Sequence, residues 1–384
     1  MAESTIAYIG LGGNLGDRRQ TIENAVAALS RNADIEVLRR SELRETLPLG
    51  DVSQGRYLNG VCEIRTTLGP QELLNALREI EDALGRHRNG RWTSRTIDLD
   101  LLVFGQEVVR TAELTVPHPQ MHLRSFVLDG LCQLAPEIVH PVLGEPARVL
   151  AERLKGADFA LDPGAAQLVS VAGVIGVGKT TLADKLAGLL GASVLREPYD
   201  TNPFMPEVYA GRKEFALDSQ LYFLVNRAEQ LGRDALGGGR VFVSDYIFEK
   251  ELIYARRLLN SQQVDLYERI YRAFVERVAA PVLVIYLTDS PGECLERIHR
   301  RNRPYEQEIT AEFLTRLHSD YEQLFADWRI CPVMRVPAGE LISGGEAAAE
   351  RLAGQVRAYI ATEEGAAVAA VCENGTDGRS KDNR

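Results

Sequence analysis

Hydrophobic runs along this chain fall into two series. In the first, short stretches rich in apolar and β-branched residues predict strands over 4–11, 35–46, 57–67 and 96–104. Between them, apolar residues at helical spacing predict helices over 18–30, with Asp17 as the cap, and over 70–84, opened by Pro70. A hairpin is predicted at Gly105-Gln106 and a further helix within 118–134. The order β-α-β-β-α-β predicts a small open sheet with its helices on one face. In the second series, apolar runs at 168–172, 193–196, 240–244 and 282–287 predict strands. Helical patterns at 182–190, 217–231, 264–278, 310–325 and 347–361 alternate with them, which predicts a parallel α/β sheet. The acids Glu197, Asp245 and Asp289 follow three of these strands, where such sheets place ligands.

A length of 384 residues exceeds one ordinary core, so two domains are expected, 1–160 and 168–362. The junction over 157–167 is short, and 363–384 is rich in Gly, Asn, Asp and Ser, which predicts a frayed or disordered tail. The net charge of -10 argues against a general nucleic-acid surface but leaves room for a local basic pocket. No apolar run reaches membrane-spanning length, and 1–11 lacks the layout of a signal peptide. The 5 cysteines include no close pair, which suits a reducing compartment and offers no zinc site. The expectation is a soluble cytoplasmic protein without nucleic-acid or membrane partners.

Two stretches carry chemistry. Gly173-Val-Ile-Gly-Val-Gly-Lys-Thr-Thr, at 173–181, lies between a predicted strand and a predicted helix. Gly173, Gly176 and Gly178 let successive backbone N–H groups face one concavity at a helix N-terminus. Lys179 can then reach the β and γ phosphates of a nucleotide, Thr180 can ligate Mg²⁺, and Thr181 completes the motif. The other stretch joins a basic cluster, Arg86, Arg88, Arg91 and Arg95, to Asp98 and Asp100. Two acids at alternate positions of one strand face the same side, with Leu99 and Leu101 facing the other. Such a pair can hold Mg²⁺ beside a polyphosphate, whose charge the arginines meet; a solvated strand face carries the same alternation.

Residues 4–155 resemble 6-hydroxymethyl-7,8-dihydropterin pyrophosphokinase. The resemblance rests on Tyr8-Ile-Gly-Leu-Gly-Gly-Asn-Leu-Gly, Pro48-Leu-Gly, Tyr57-Leu-Asn, Arg91-Trp92, Arg95-Thr-Ile-Asp-Leu-Asp-Leu-Leu and Val116-Pro-His-Pro-Gln-Met. It implies a ferredoxin-like α+β domain that transfers pyrophosphate from ATP to a pterin hydroxymethyl group, giving AMP. It implies further that Asp98 and Asp100 hold Mg²⁺ and that Arg86, Arg95, His118 and Arg124 surround ATP. Arg88 and Trp92 would belong to a closing loop. Pro48, Leu49, Tyr57, Asn59 and Phe126 would form the pterin site, and Glu81 would be an accompanying acid. Gly13 stands where the family usually has serine, a change expected to loosen the opening loop.

Residues 168–360 resemble the bacterial deoxynucleoside kinases. Beside the glycine loop, the resemblance rests on Glu197-Pro-Tyr-Asp-Thr-Asn-Pro-Phe, Asp218-Ser-Gln-Leu-Tyr-Phe-Leu-Val-Asn-Arg, Ser244-Asp-Tyr-Ile-Phe-Glu-Lys and Arg297-Ile-His-Arg-Arg-Asn-Arg-Pro-Tyr-Glu. It implies a P-loop α/β kinase domain that phosphorylates a deoxyribonucleoside 5′-hydroxyl with ATP, and a homodimer through this domain. Glu197 would be the general base, Gln220 would pair with a nucleobase edge, and Asp245 would sit by Mg²⁺. Arg227 would add charge nearby, while Arg297, Arg301 and Arg303 would form a lid. An ordinary solvated helix also carries such arginines. Animal-type relatives often place arginine after the acid, where this chain has Tyr246. A regulatory second domain and a non-enzymatic assembly protein are the competing functional readings.

Overall fold

The computed structural model describes residues 4–48, 55–86, 95–199, 201–303 and 306–361. They fall into two compact units, one within 4–161 and one spanning 162–361. The 363–384 tail lies outside the described residues.

The first unit runs β1 (Thr5–Gly13), α1 (Arg18–Leu29), β2 (Ile35–Arg40), β3 (Arg44–Thr46), β4 (Tyr57–Thr66), α2 (Pro70–Ala83) and β5 (Asp98–Phe104). It continues with β6 (Val109–Arg110), β7 (Thr115–Val116), α3 (Ser125–Leu134) and α4 (Ala147–Leu154). The main sheet is antiparallel in the order β2-β4-β1-β5, with β3 also on β4, which is the α+β ferredoxin-like arrangement. One face carries Ile9, Leu11, Leu99 and Leu101, packed with Ile22 and Leu29 of α1 and Leu73 and Leu77 of α2. Asp17 caps α1 by accepting the Gln20 N–H, as its position predicts.

Three local expectations change. The single strand expected over 35–46 is broken at Ser41, whose hydroxyl takes the Val61 N–H that a ladder carbonyl would otherwise receive. The hairpin expected at Gly105 forms later, between β6 and β7. Helices also cover both faces of the sheet, because α3 lays Gly130 against the Val61 side chain on the face opposite the α1–α2 core. The helix expected within 118–134 is α3, Ser125–Leu134. Arg124 is extended just before it, and Asp158 accepts from both the Ser125 N–H and hydroxyl.

The second unit runs β8 (Gln167–Ala172), α5 (Lys179–Leu190), β9 (Ser193–Leu195), α6 (Met205–Tyr209), α7 (Ala216–Gln230), α8 (Arg233–Leu236) and β10 (Val241–Ser244). Then follow α9 (Lys250–Leu258), α10 (Ser261–Val275), β11 (Leu283–Thr288), α11 (Pro291–Arg301), α12 (Ala311–Ala326), β12 (Val333–Pro337) and α13 (Ala338–Arg357). The five strands are parallel in the order β12-β11-β8-β10-β9, a P-loop-like kinase fold. All of β8 is buried, as a central parallel strand requires. The fully buried Gln167 side chain donates to the Asp162 and Ala165 carbonyls and accepts the Ala361 N–H.

Candidate active sites

In the first unit the register of three strands builds the site floor. Gly12 of β1 lies opposite Asn59 of β4 on one side and Asp98 of β5 on the other. Gly10 lies opposite Asp100 in the next row. Paired residues of an antiparallel sheet point to the same face. Asn59, Asp98 and Asp100 therefore share one face, with no side chain rising from β1 between them. Gly13 ends β1 against the Thr96 carbonyl, which a Cβ there would meet at 2.5 Å. This corrects the expected loosening: glycine permits a close approach that a serine would obstruct.

Arginines converge on this floor. Arg86 reaches Asp98 at 2.7 Å and also contacts Glu81, while Arg95 pairs directly with Asp98. Arg124 lies 3.5 Å from Asp100. Burial raises the Asp98 pKa, but Arg95, Arg86 and Arg124 outweigh it and hold the carboxyl below its usual range. For Asp100 burial and the Asp98 charge prevail, pushing it up to about 6. Two carboxylates side by side on one face are hard oxygen donors of the kind a hard cation takes. Asp98 and Asp100 thus fit as Mg²⁺ ligands that leave further positions to water and phosphate. Among the described residues no larger cluster of acids, histidines and cysteines is grouped for a metal.

His118 is buried and accepts the Gln120 N–H at Nδ1; burial and Arg124 push its pKa down to about 3. It is therefore neutral near Asp98. Tyr57 is half-buried beside Arg95, and Asn59 donates to the Thr46 hydroxyl at 2.7 Å. Pro48 follows β3, and Phe126 lies half-buried in the first turn of α3. Neither is tied to the acid pair by a described contact. Leu49, Arg88 and Trp92 lie outside the described residues.

Two residues support this floor: Asn14, which sequence reading did not assign, and Glu81, named there only as an accompanying acid. Asn14, in the quoted glycine motif, accepts the Arg95 N–H at 2.7 Å and donates its own N–H to the Arg95 carbonyl. Glu81 accepts the Leu99 N–H between the two acids at 2.7 Å, and burial pushes its pKa up to about 7. Glu81 thereby fixes both Arg86 and the start of β5.

In the second unit the glycine loop lies between β8 and α5. Gly176 has φ 81°, and a Cβ there would meet the Cys294 carbonyl at 2.5 Å, so the loop can only lie against α11 with glycine at this point. Lys179 donates to the Val174 carbonyl across the loop at 2.9 Å. Thr180 donates to Asp245 at 2.6 Å, and the other Asp245 oxygen accepts the Glu197 N–H at 2.9 Å. One carboxylate thus joins loop and strand end, beside the place where Thr180 and Asp245 would hold Mg²⁺. Thr181 is exposed in the first turn of α5.

Glu197 opens onto a cavity of about 430 Å³, lined also by Tyr199, Gln220, Phe223, Arg227 and Lys250. Arg227 and Lys250 both contact Glu197, and Arg227 also pairs with Glu251, to which Tyr267 donates. Burial alone would raise the Glu197 pKa, yet Lys250 and Arg227 hold it well below the usual carboxylate range. The Arg227 guanidinium also lies 4.6 Å from the Phe223 ring centre. Its charge is thus engaged by two acids and an aromatic face. Gln220 is buried on the cavity wall. Tyr246 is fully buried and donates to Gln230, so it takes no part in the loop.

The arginines assigned to a lid divide. Arg297 of α11 donates to the Gly176 carbonyl at 3.2 Å and pairs with Asp289, which places it on the glycine loop. Arg301 and Arg303 instead meet Glu306, at 2.6 and 3.5 Å. Lys250 and Glu251, at the start of α9, were not singled out by sequence. Lys250 closes the quoted 244–250 motif, which was the only signal available for it.

A chain so built carries two candidate sites, one on an antiparallel sheet and one on a P-loop-like kinase fold. The family of 7,8-dihydro-6-hydroxymethylpterin-pyrophosphokinases matches residues 8–136, and the deoxynucleoside kinase family matches 169–361. The chain is 44% identical over 135 residues to the 2-amino-4-hydroxy-6-hydroxymethyldihydropteridine pyrophosphokinase of Bacillus subtilis, covering 35% of this chain and 81% of that protein. It is 41% identical over 148 residues to the enzyme of the same name from Synechocystis, covering 38% and 75%. Among solved structures, deoxyadenosine kinase from M. mycoides with bound dATP has a TM-score of 0.40 at 24% identity, covering 46% of this chain and 97% of that one. The chain belongs to the pyrophosphokinase family through its first unit and to the deoxynucleoside kinase family through its second.

Proposed function

We propose that the first unit transfers pyrophosphate from ATP to 6-hydroxymethyl-7,8-dihydropterin. The pterin hydroxymethyl oxygen attacks the β-phosphorus, the bond to the α-phosphate oxygen breaks, and AMP leaves. The observation that carries this is the acid pair Asp98 and Asp100, enclosed by Arg86, Arg95 and Arg124 on the same face as Asn59. Such a reaction needs charge neutralisation and in-line placement more than a protein nucleophile. Arg86 and Arg95 take up phosphate charge, Asn59 and Tyr57 orient the pterin, and neutral His118 offers a hydrogen-bonding edge without competing charge. Mg²⁺ bound by Asp98 and Asp100 supplies Lewis-acid charge on the phosphate oxygens. Pro48, Leu49 and Phe126 would complete the pterin site, and Arg88 and Trp92 would close over it.

The second unit, on this reading, transfers the γ-phosphate of ATP to a deoxyribonucleoside 5′-hydroxyl, releasing ADP. Its support is the cavity at Glu197 beside the glycine loop. Lys179, Thr180 and the loop backbone hold the phosphates with Mg²⁺, Gln220 meets the base, and Arg297 lies on the loop. Glu197, held ionised by Lys250 and Arg227, is the general base of this reading. It acts by accepting the hydrogen bond of the 5′-hydroxyl and aligning it, which suits a loose phosphoryl-transfer transition state. Arg301 and Arg303 would meet transferring phosphate only after leaving Glu306.

A product-resolved assay tests both halves: ATP with the pterin should yield AMP, and ATP with a deoxyribonucleoside should yield ADP. No AMP with the pterin defeats the first assignment. No nucleoside monophosphate with any common deoxyribonucleoside defeats the second and leaves the regulatory reading of that unit.

A further inference from the structure

Glu197 has more positive charge around it than its own ionisation needs. Arg227 and Lys250 both contact the same oxygen, Oε1. The three side chains are 5% exposed or less, so neither cation is a surface charge that merely settled there. The two differ in their other commitments. Arg227 also lines the cavity but is held by a second acid, Glu251, which is itself bound by Tyr267. Lys250 has Glu197 as its one described carboxylate, lies 5.4 Å from the Tyr254 ring centre, and lines the cavity. Arg227 is therefore shared between two acids, while Lys250, the first residue of α9, is committed to Glu197.

We propose that Lys250 is a positioning residue for phosphoryl transfer, its ammonium holding Glu197 ionised and oriented so that the carboxylate accepts the nucleoside 5′-hydroxyl. This rests on the nucleoside kinase reading of the second site. The ammonium also places a positive charge beside the oxygen that becomes bonded to phosphorus, where electrostatic preorganisation counts most. The reaction is unchanged: the 5′-oxygen bonds to the γ-phosphorus, the bond to ADP breaks, and the hydroxyl proton leaves along the hydrogen bond to Glu197.

The pair has a limited pH range. Burial pushes the Lys250 pKa down, Glu197 pulls it up, and Arg227 and Lys179 push it down again, leaving it at about 8. The groups facing this ion pair are Glu197 and Tyr199 after β9, Arg227 on α7, Lys179 on α5, Tyr254 on α9 itself and Tyr321 on α12. Tyr267 of α10 faces the neighbouring Glu251. Burial raises the pKa values of Tyr199, Tyr321 and Tyr267, which keeps these three neutral across this range. Below about 8 Lys250 is charged and the clamp is closed; as pH rises through that value it opens.

The test uses the full chain with ATP and each common deoxyribonucleoside, comparing wild type with Lys250→Met and Lys250→Arg. The expected result for Lys250→Met is a kcat lower by about 100-fold, with nucleoside KM changed only a few-fold. Lys250→Arg should recover much of the rate, because it restores the charge. It should also move the alkaline loss of kcat to higher pH, since arginine stays protonated. Thermal melting compares the folding of the variants. If Lys250→Met does not fold, the alkaline limb of Lys250→Arg decides. A wild-type kcat in Lys250→Met overturns the proposal, and so does an alkaline limb unmoved in Lys250→Arg. A wild-type chain that phosphorylates no nucleoside overturns the kinase reading and this one with it, whereas an active wild type with an indifferent Lys250 overturns this one alone.

Discussion

In the first unit, side chains of opposite charge meet across the site: Asp98 with Arg86 and Arg95, Asp100 with Arg124. In the second, the phosphate cradle is backbone, held open by glycines, and the opposed charges lie deeper, around Glu197. The difference concerns what a nucleotide must displace. On the proposed reading, phosphate and Mg²⁺ would exchange in the first site with ion pairs that are already formed, each ion taking a partner of opposite sign. In the second the loop N–H groups would meet phosphate directly, while the buried pairs need not open. Side-chain sites of the first kind depend on every member, because removing one charge leaves its partner uncompensated. Backbone cradles depend mainly on loop conformation and on the single lysine.

Four experiments sharpen that contrast, in decreasing order of expected effect. Asp98→Ala should lower pterin-dependent AMP formation by about 1000-fold, while nucleoside-dependent ADP formation continues. A D98A protein with normal AMP output would remove the metal assignment. Lys179→Ala should produce the reverse pattern, a loss of about 100-fold in ADP formation with the AMP reaction intact. Loss of both activities would show that the units do not work separately.

The third experiment concerns pH. His118 and His140 are buried and accept backbone N–H groups at Nδ1, from Gln120 and from Val142 and Leu143, which requires that nitrogen unprotonated. Burial is the largest cause of their shifts, to about 3 and about 4. Both folded pKa values lie below the unfolded one. Their stabilisation is therefore complete above about pH 6.5 and lost as pH falls toward the folded values. Melting of the first unit between pH 7 and 5 should show a loss of a few kcal/mol, and His140→Asn should flatten the curve. An unchanged slope in that variant counts against the assignment.

The smallest effect is expected from Gly13→Ser. Its Cβ must be accommodated 2.5 Å from the Thr96 carbonyl, at a cost of about 1–3 kcal/mol. Chemical denaturation measures it. A neutral or stabilising result would mean that β1 and the segment at Thr96 separate easily.

Much of both sites was legible because the signals are local. Alternation places Asp98 and Asp100 on one face whatever the tertiary fold, and the 173–181 spacing defines a phosphate loop between two elements. The supports were illegible because they come from distant segments. Glu81 was named only as an accompanying acid, its bond to the Leu99 N–H coming from another element, and Lys250 meets Glu197 across 53 positions of chain. Asn14 gave a partial signal through its glycine motif. The fold was misjudged where a side chain replaces a backbone partner, as Ser41 does opposite Val61. Neither hydrophobic period nor turn residues encode such exchanges.

The Gln167 side chain has one more consequence. By bonding to Asp162, Ala165 and Ala361 together, it brings the entry and the exit of the second unit to one spot. A folded piece whose two ends meet can be spliced to another chain, or released from it, without rethreading its interior. In that sense one amide closes the two ends of the second unit on each other.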